Sequence, residues 1–454
     1  MRRFSILAMI VLALGALGEP SVSAGSVVIG SGAIPRLRRD TAGDLYLVYM
    51  DANQVQYRVF ATSWSAPEIV PGSTDVALGK FARHRMYLTP DGSRVYVSWG
   101  TGYDTDMLLA YRDGSGWHGP EVACANTVRP WEYAAVAARP SGDVYVFCQV
   151  DDLWVAHRDP GGTWDAPLQL WNNPLPTLKH ITANTDSTGE IHAFCRYGPV
   201  QVLRGDGTSW SPRYSLNTAG SAEQPAFALD SSDHVHLVWQ DWREVSAGVW
   251  QPDTVRYATG RDDQWSNGND GVVVHAYVDS ANPPEIAVGA DGRLRVTWIE
   301  GSDVLYAEST DGGASWTAAQ ALAGDARPVE AGNLEHDLRT PPSVFVGSTW
   351  NVVYENDAHQ LVHYTEQIPV PTPDAGVAVD AGGEPPVDAA PDAAASPDAA
   401  PAPDAASLPD AGDPDPDRAS AGCSCHTPGA PGGGADPLLL VLVVVVVVRR
   451  LRRA

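Results

Sequence analysis

Charged, amide and aromatic side chains recur at one point of an internal repeat, just before or at the start of a strand. They are Arg83 and His84; Trp131, Glu132 and Tyr133; Lys179 and His180; Glu223 and Gln224; Asn282; and Arg339. Such a set suits a polar, ring-shaped ligand, because aromatic faces stack on sugar rings while Arg, Glu, Gln and His bond to hydroxyls. The plainer reading is ordinary solvated strand ends, since loop ends are polar in most proteins. Catalysis here would rest on Glu132, Tyr133 or Glu223, as acid, base or nucleophile. Glu132 and Tyr133 are neighbours, which on a regular strand turns them to opposite faces, so adjacency alone does not make them a pair.

The element that would gather these residues is a tandem β unit. Extended apolar runs end in an aromatic at Tyr49, Trp99, Phe147, Phe194, Trp239, Trp298 and Tyr354, at spacings of about 45 to 60 residues. That is the length of a four-stranded propeller blade, and the expected fold is all-β, a seven-bladed β-propeller, with six blades as the alternative if one copy is an insertion. Turns such as Asp40-Thr41-Ala42-Gly43-Asp44 and Pro90-Asp91-Gly92-Ser93 lead into strands rich in Val, Leu and aromatics, the signature of a hairpin. The seventh copy stops at Gln360-Leu361-Val362-His363-Tyr364, one strand short. An uncovered edge invites pairing, and Ser26-Val27-Val28-Ile29-Gly30 is the segment expected to close the ring as the missing strand. The starts of the innermost strands then meet at the mouth of a central channel.

The two ends of the chain read differently. Arg2, Arg3, the apolar stretch Ile6 to Leu17 and Val22-Ser23-Ala24 form a secretory signal over residues 1–24, so the propeller is expected over 25–368. Residues 369–421 hold repeated Pro-Asp-Ala triplets and lack the large apolar side chains that build a core; they read as a disordered, self-repelling linker. Much of the formal net charge of −25 sits there, and the acidic balance argues against nucleic acid as a partner. Residues 422–454 contain Gly422-Cys423-Ser424-Cys425, the apolar run Leu438 to Val448, and Arg449-Arg450-Leu451-Arg452-Arg453. The run is too short for an ordinary spanning helix, which needs about twenty residues.

Of the remaining cysteines, Cys148 and Cys195 follow Phe147 and Phe194 in neighbouring repeats and Cys124 stands between copies. At most one bridge can form among them, and buried free thiols are an equal alternative. No spacing suggests a zinc site. The pairs Asp104 and Asp106, or Asp151 and Asp152, have the residue type for calcium, but surface turns use the same residues, and no cofactor is expected.

Ser309-Thr310-Asp311-Gly312-Gly313-Ala314-Ser315-Trp316 fits Ser-x-Asp-x-Gly-x-x-Trp. It resembles the Asp-box, or BNR repeat, between the third and fourth strands of sialidase-like propellers. Its chemistry is structural: the Asp311 carboxylate accepts turn amides with Ser309 beside it, Gly313 supplies a positive φ, and Trp316 buries an apolar face. The resemblance implies, for an active sialidase, an arginine cluster for the substrate carboxylate, a Tyr activated by a Glu, and an acidic Asp. The first of those arginines would precede Ile34-Pro35, where this chain has Ala33. Arg36, Arg38 and Arg39 are close, but an odd displacement along a regular strand turns a side chain to the other face. Sialic acid hydrolysis is therefore not expected.

The carboxyl-terminal segment resembles the sorting tail of myxobacterial surface proteins, the MYXO-CTERM type. That resemblance implies cleavage by a membrane protease and retention at the cell surface, at the outer membrane, with a lipid on Cys423 or Cys425; membrane contact is through this tail alone. The combined expectation is an exported, surface-tethered, lectin-like propeller that binds carbohydrate or a surface glycoconjugate without turning it over. The alternatives are a glycoside hydrolase or lyase of the same superfamily, and a structural surface scaffold.

Overall fold

Strand-forming runs separated by Gly- and Asp-containing turns produce an all-β chain. The computed structural model describes residues 24–369 apart from 75–85, 101–105, 126–132, 150–151, 172–178, 197, 212–213, 217–220, 247–248, 262–263, 267–269, 278–281 and 329–339. Among the described residues there are seven antiparallel sheets and no helix. Blade 1 runs Ala33–Arg39, Leu45–Asp51, Gln54–Phe60 and Glu68–Ile69 from the axis outward. The innermost strands of blades 2 to 7 are Tyr87–Pro90, Tyr133–Ala138, Lys179–Thr185, Ser221–Leu229, Glu285–Val288 and Ser343–Val346. Each innermost strand adjoins the next and the last adjoins the first, so the sheets close into a toroid. Seven blades are observed, and the six-bladed alternative is excluded.

Closure follows the expected route. Ala24–Ser31 pairs with Gln360–Gln367, with Ser26 opposite Tyr364 and Gly30 opposite Leu361. The Arg58 guanidinium in blade 1 donates to the Ile29 carbonyl, tying the closing strand to the first blade.

The aromatic at the end of each second strand fills the space between blades, with a correction to the repeat as read from sequence. Counted from the paired start of each second strand, Tyr49, Trp99, Trp239 and Trp298 are equivalent to Cys148 and Cys195, not to Phe147 and Phe194. Tyr49, Trp99, Trp239, Trp298 and Tyr354 pack toward the preceding blade. Phe147 and Phe194 sit one residue earlier and pack toward the following blade. Alternation along a strand makes a one-residue offset a change of face. The small Cys195 thus leaves room for Phe147 in the same cluster, the volume matching that a close-packed interior requires. Cys148 bonds to Cys124, stapling the outer strand of blade 2 (Gly116–Cys124) to blade 3, while Cys195 is a buried free thiol.

Polar clips join the blades nearer the rim. Arg112 Nε and Nη2 bind Glu68 at 3.0 and 3.2 Å, and Trp117 Nε1 donates to the same carboxylate at 2.9 Å. Arg158, Trp164 and Glu121 repeat the arrangement one blade on, at 2.7, 2.9 and 2.9 Å. In the next blade Gly205 replaces the arginine and Leu168 the carboxylate. Trp210 packs across Gly205, and its indole nitrogen is buried without a hydrogen-bond partner.

The turn from Ser309 to Trp316 is built as its chemistry requires. Asp311 Oδ1 accepts the Ser315 amide at 2.9 Å and the Ser309 hydroxyl at 2.8 Å, while Ser309 Oγ accepts the Gly313 amide at 2.9 Å. Those bonds, the Ser315 contacts foremost, lower the Asp311 pKa to about 2. Trp316 meets Tyr257 edge-on at 5.1 Å.

Candidate functional site

The channel mouth is shaped by a device repeated in three blades. At the start of the inner strands of blades 1, 4 and 5 the pairing register slips, between Ala33 and Arg36, Lys179 and Thr182, and Glu223 and Ala226. The extra residue in each bulge has a left-handed backbone: Ile34 at φ 57°, His180 at 53° and Gln224 at 50°. Such φ values are uncommon outside glycine, and least so tolerated by a β-branched side chain. A bulge re-aims side chains at the end of a ladder. Here it turns His180 and Gln224 into the channel, while Ile34 packs into the core.

The bulge also corrects the expectation for Arg36. Ala33 pairs with Met50 and Arg36 with Val48, two ladder positions apart, so both lie on one face. The inserted residue turns an odd displacement into an even one. Arg36 therefore lines the channel, level with Thr182 and Ala226 of blades 4 and 5. Its pKa is lowered by burial, and Nη1 donates to the Pro35 carbonyl at 3.2 Å and Thr340 Oγ1 at 3.4 Å.

Glu223 is buried, 3% exposed. Its Oε1 forms an ion pair with Arg196, which opposes Lys179 at the end of the second strand of blade 4, and its Oε2 lies 3.6 Å from His180 Nε2. Arg196 Nη2 also donates to Ser221 Oγ at 3.1 Å. Across the channel the Tyr87 hydroxyl donates to the Ile181 carbonyl, and burial pushes its pKa up to about 12. Asn282 is buried at the start of blade 6, its amide bonded to the Ile299 carbonyl at 2.8 Å.

His180, Glu223 and Gln224 are thus brought together. Tyr133 and Lys179 open the inner strands of blades 3 and 4 by their backbones. Arg83, His84, Trp131, Glu132, Arg339, Cys423 and Cys425 lie outside the described residues, as do Asp104 and Asp151. Arg36 and Arg196 were not singled out as ligand groups from sequence; a proline follows the inserted residue in two of the three bulges, at Ile34-Pro35 and Gln224-Pro225, and is the local feature the sequence offers there.

Asp186, Glu190 and His192 present ligand atoms within 4.8 Å of one another. Asp186 Oδ1 is already taken by the Thr188 amide and hydroxyl and the Glu190 amide, and Oδ2 faces His192 at 3.3 Å. The same turn recurs with Asp40 and Tyr46, Asp91 and Tyr96, and Asp230 and His236, so the cluster is hairpin chemistry. Asp241, near the end of the long second strand of blade 5, is held by two guanidinium groups: Arg256 Nε binds it at 3.0 Å and Arg243 Nε approaches at 3.6 Å.

No family model matches this sequence, and no curated protein is similar to it. Among solved structures the fold is similar to a polysaccharide lyase of family PL25, an ulvan lyase, at TM-score 0.52 and 14% identity, covering 74% of this chain and 93% of that one. The same figures hold for that lyase bound to -[GlcA(1-4)Rha3S]-. A Hadza microbial sialidase, Hz136, is similar at TM-score 0.39 and 15% identity over 74% of this chain and 65% of that chain. The likeness at this identity is one of fold.

Proposed function

We propose that this chain is an exported propeller, tethered at the cell surface by its carboxyl-terminal tail, that binds carbohydrate at the mouth of its channel without turning it over. One observation carries the non-catalytic part: Glu223, the described carboxylate among the candidate catalytic residues, is buried against Arg196 and His180. Both of its oxygens face side chains of the protein itself, Oε1 towards Arg196 and Oε2 towards His180, so the carboxylate is turned away from a ligand in the channel. The buried polar groups of His180 and Gln224, with aromatic and basic residues expected around them, give a surface that bonds sugar hydroxyls. The similarity in fold to a polysaccharide lyase supports a glycan rather than a protein ligand.

A second reading rests on the 3.6 Å approach of Glu223 to His180. An acidic group that orients a histidine is the arrangement a lyase or hydrolase uses for its base. The purified intact chain, tested on a glycan array with Trp131→Ala as control, separates the two. Binding without release of product supports the lectin-like role. Turnover of a polysaccharide that is lost on changing His180 or Glu223 overturns it, and flat signal across all glycans leaves the scaffold.

A further inference from the structure

On the face opposite the mouth, at the far ends of the inner strands, a pocket of about 190 Å³ opens between blades 1 and 2. A water needs roughly 10–15 Å³ by the same kind of measure, so the space has room for a pyranose ring with its hydroxyls. At three other junctions the aromatic of the earlier blade is covered. The turn between the third and fourth strands of blade 4 brings Gly207 so close to Tyr145 of blade 3 that a Cβ would lie 2.2 Å from its hydroxyl oxygen. The same turn in blade 6 sets Gly313 against Tyr257 of blade 5, where a Cβ would lie 2.0 Å from the ring. Between blades 2 and 3 the guanidinium groups of Arg94 and Arg158 each lie 5.2 Å from the centroid of Tyr111. In blade 2 the turn is only the two-residue link Gly114-Ser115 between Asp113 and Gly116, and a Cβ on Gly114 would meet nothing within 4 Å. The short link leaves the stacked pair Tyr46 and Tyr57, with centroids 6.4 Å apart, bordering open space.

The polar groups on its wall are incompletely used. Tyr57 is 3% exposed, and its hydroxyl has no hydrogen-bond partner among the described residues. Arg112 binds Glu68 through Nε and Nη2, which leaves the N–H groups of Nη1. Asp113 Oδ1 takes the Ser115 amide and hydroxyl, which leaves Oδ2. Arg94 reaches the Tyr96 hydroxyl at 3.4 Å. With Asp40, the lining holds two guanidinium groups and two carboxylates and so carries no net charge. A guanidinium only donates and an ionised carboxylate only accepts, whereas a hydroxyl does both. Neighbouring hydroxyls on one neutral ring satisfy such a wall; an anion meets the carboxylates. We propose that this pocket is a second ligand site, which takes one neutral monosaccharide ring with its apolar face on Tyr46 and its hydroxyls on Arg94, Arg112, Asp113 and Tyr57. The site uses residues of blades 1 and 2 alone and is independent of the channel mouth on the other face.

The test uses the intact purified chain, titrated separately with D-glucose, D-galactose, D-mannose and L-fucose and followed by saturation-transfer NMR and thermal unfolding. At least one of the four is expected to bind saturably. Gly114→Tyr, on an exposed turn, puts a side chain at the pocket. It is expected to abolish the signal without lowering the Tm. Arg94→Gln is expected to weaken binding at least about tenfold, the loss of one hydrogen bond from a charged donor. If Arg94→Gln does not fold, Gly114→Tyr carries the comparison, since it removes no contact. Three outcomes overturn the proposal. The first is no saturation by any of the four sugars. The second is binding that survives Gly114→Tyr; where Trp131→Ala removes that binding, it belongs to the mouth. The third is saturation by inorganic phosphate that none of the sugars displaces, which makes the pocket an anion site.

Discussion

The indole Nε1 of Trp64 donates to Nδ1 of His363 at 3.0 Å, across the seam where blade 1 meets blade 7. The other ring nitrogen faces Asn351 Oδ1 at 3.1 Å. An acceptor at Nδ1 fixes the proton on Nε2, so this imidazole is held neutral between the first and last blades.

Burial pushes the His363 pKa down to about 4. An unfolded histidine titrates near 6.5, so the unfolded chain binds the proton first as pH falls. The contribution is complete above about pH 6.5 and is lost progressively down to about pH 4, a difference on the order of 3 kcal/mol. Urea midpoints at pH 7.5 and 4.5 are expected to separate widely for the native chain and less for His363→Gln. Equal separations in both would show that another group governs the acid limb.

Removal of one clip carboxylate leaves its arginine behind. Arg158 has a nearly buried side chain, 5% exposed, against Glu121. Glu121→Ala is expected to cost about 2 kcal/mol, since it strands both the guanidinium and the Trp164 indole N–H. A midpoint unchanged in urea would mean that solvent replaces the carboxylate without loss.

The converse substitution lies one blade on. Leu168 occupies the place of Glu121, is 46% exposed, and faces an interface where the Trp210 nitrogen has no hydrogen-bond partner. Leu168→Glu is expected to stabilise by up to about 1 kcal/mol through a new charge-assisted bond to that indole. Calorimetry that finds a lower Tm for this variant rejects the equivalence of the two positions.

Gly313 approaches Tyr257 so closely that an added Cβ would lie 2.0 Å from the ring, at a backbone φ of 88°. Gly313→Ala is therefore expected to cost at least about 2 kcal/mol, from overpacking and the left-handed backbone together. Gly312→Ala, which meets nothing within 4 Å, is the control for the backbone term. Equal losses in the two variants would remove the packing argument.

The bond between Cys124 and Cys148 closes a segment with a sequence separation of 24. Loop-closure entropy for that length is worth about 3 kcal/mol. Reduction, or a double change to Ser, is expected to lower the unfolding free energy by about that amount while Cys195→Ser leaves the bridge intact. Thiol titration of the unfolded chain with and without reductant measures the bridge directly.

Seven aromatic-ended runs, Asp-containing turns before six of the seven second strands and an orphaned last copy were enough to specify seven blades and to name Ser26–Gly30 as the strand that completes the ring. These are local patterns repeated many times, and closure is a demand of unpaired backbone that holds whatever the side chains. The mouth was traceable in part: His180, Glu223 and Gln224 converge as their place in the repeat implied.

Side-chain facing had to come from the folded ladder. A single extra residue at Ile34 brings Arg36 into the channel, although regular alternation sends it away. A single-residue offset likewise turns Phe147 and Phe194 toward the opposite neighbour from the aromatics of the other blades. The period of a strand is two, so one inserted residue inverts everything beyond it. Neither composition nor spacing records where the partner strand skips a residue; that information exists only once the two strands are paired.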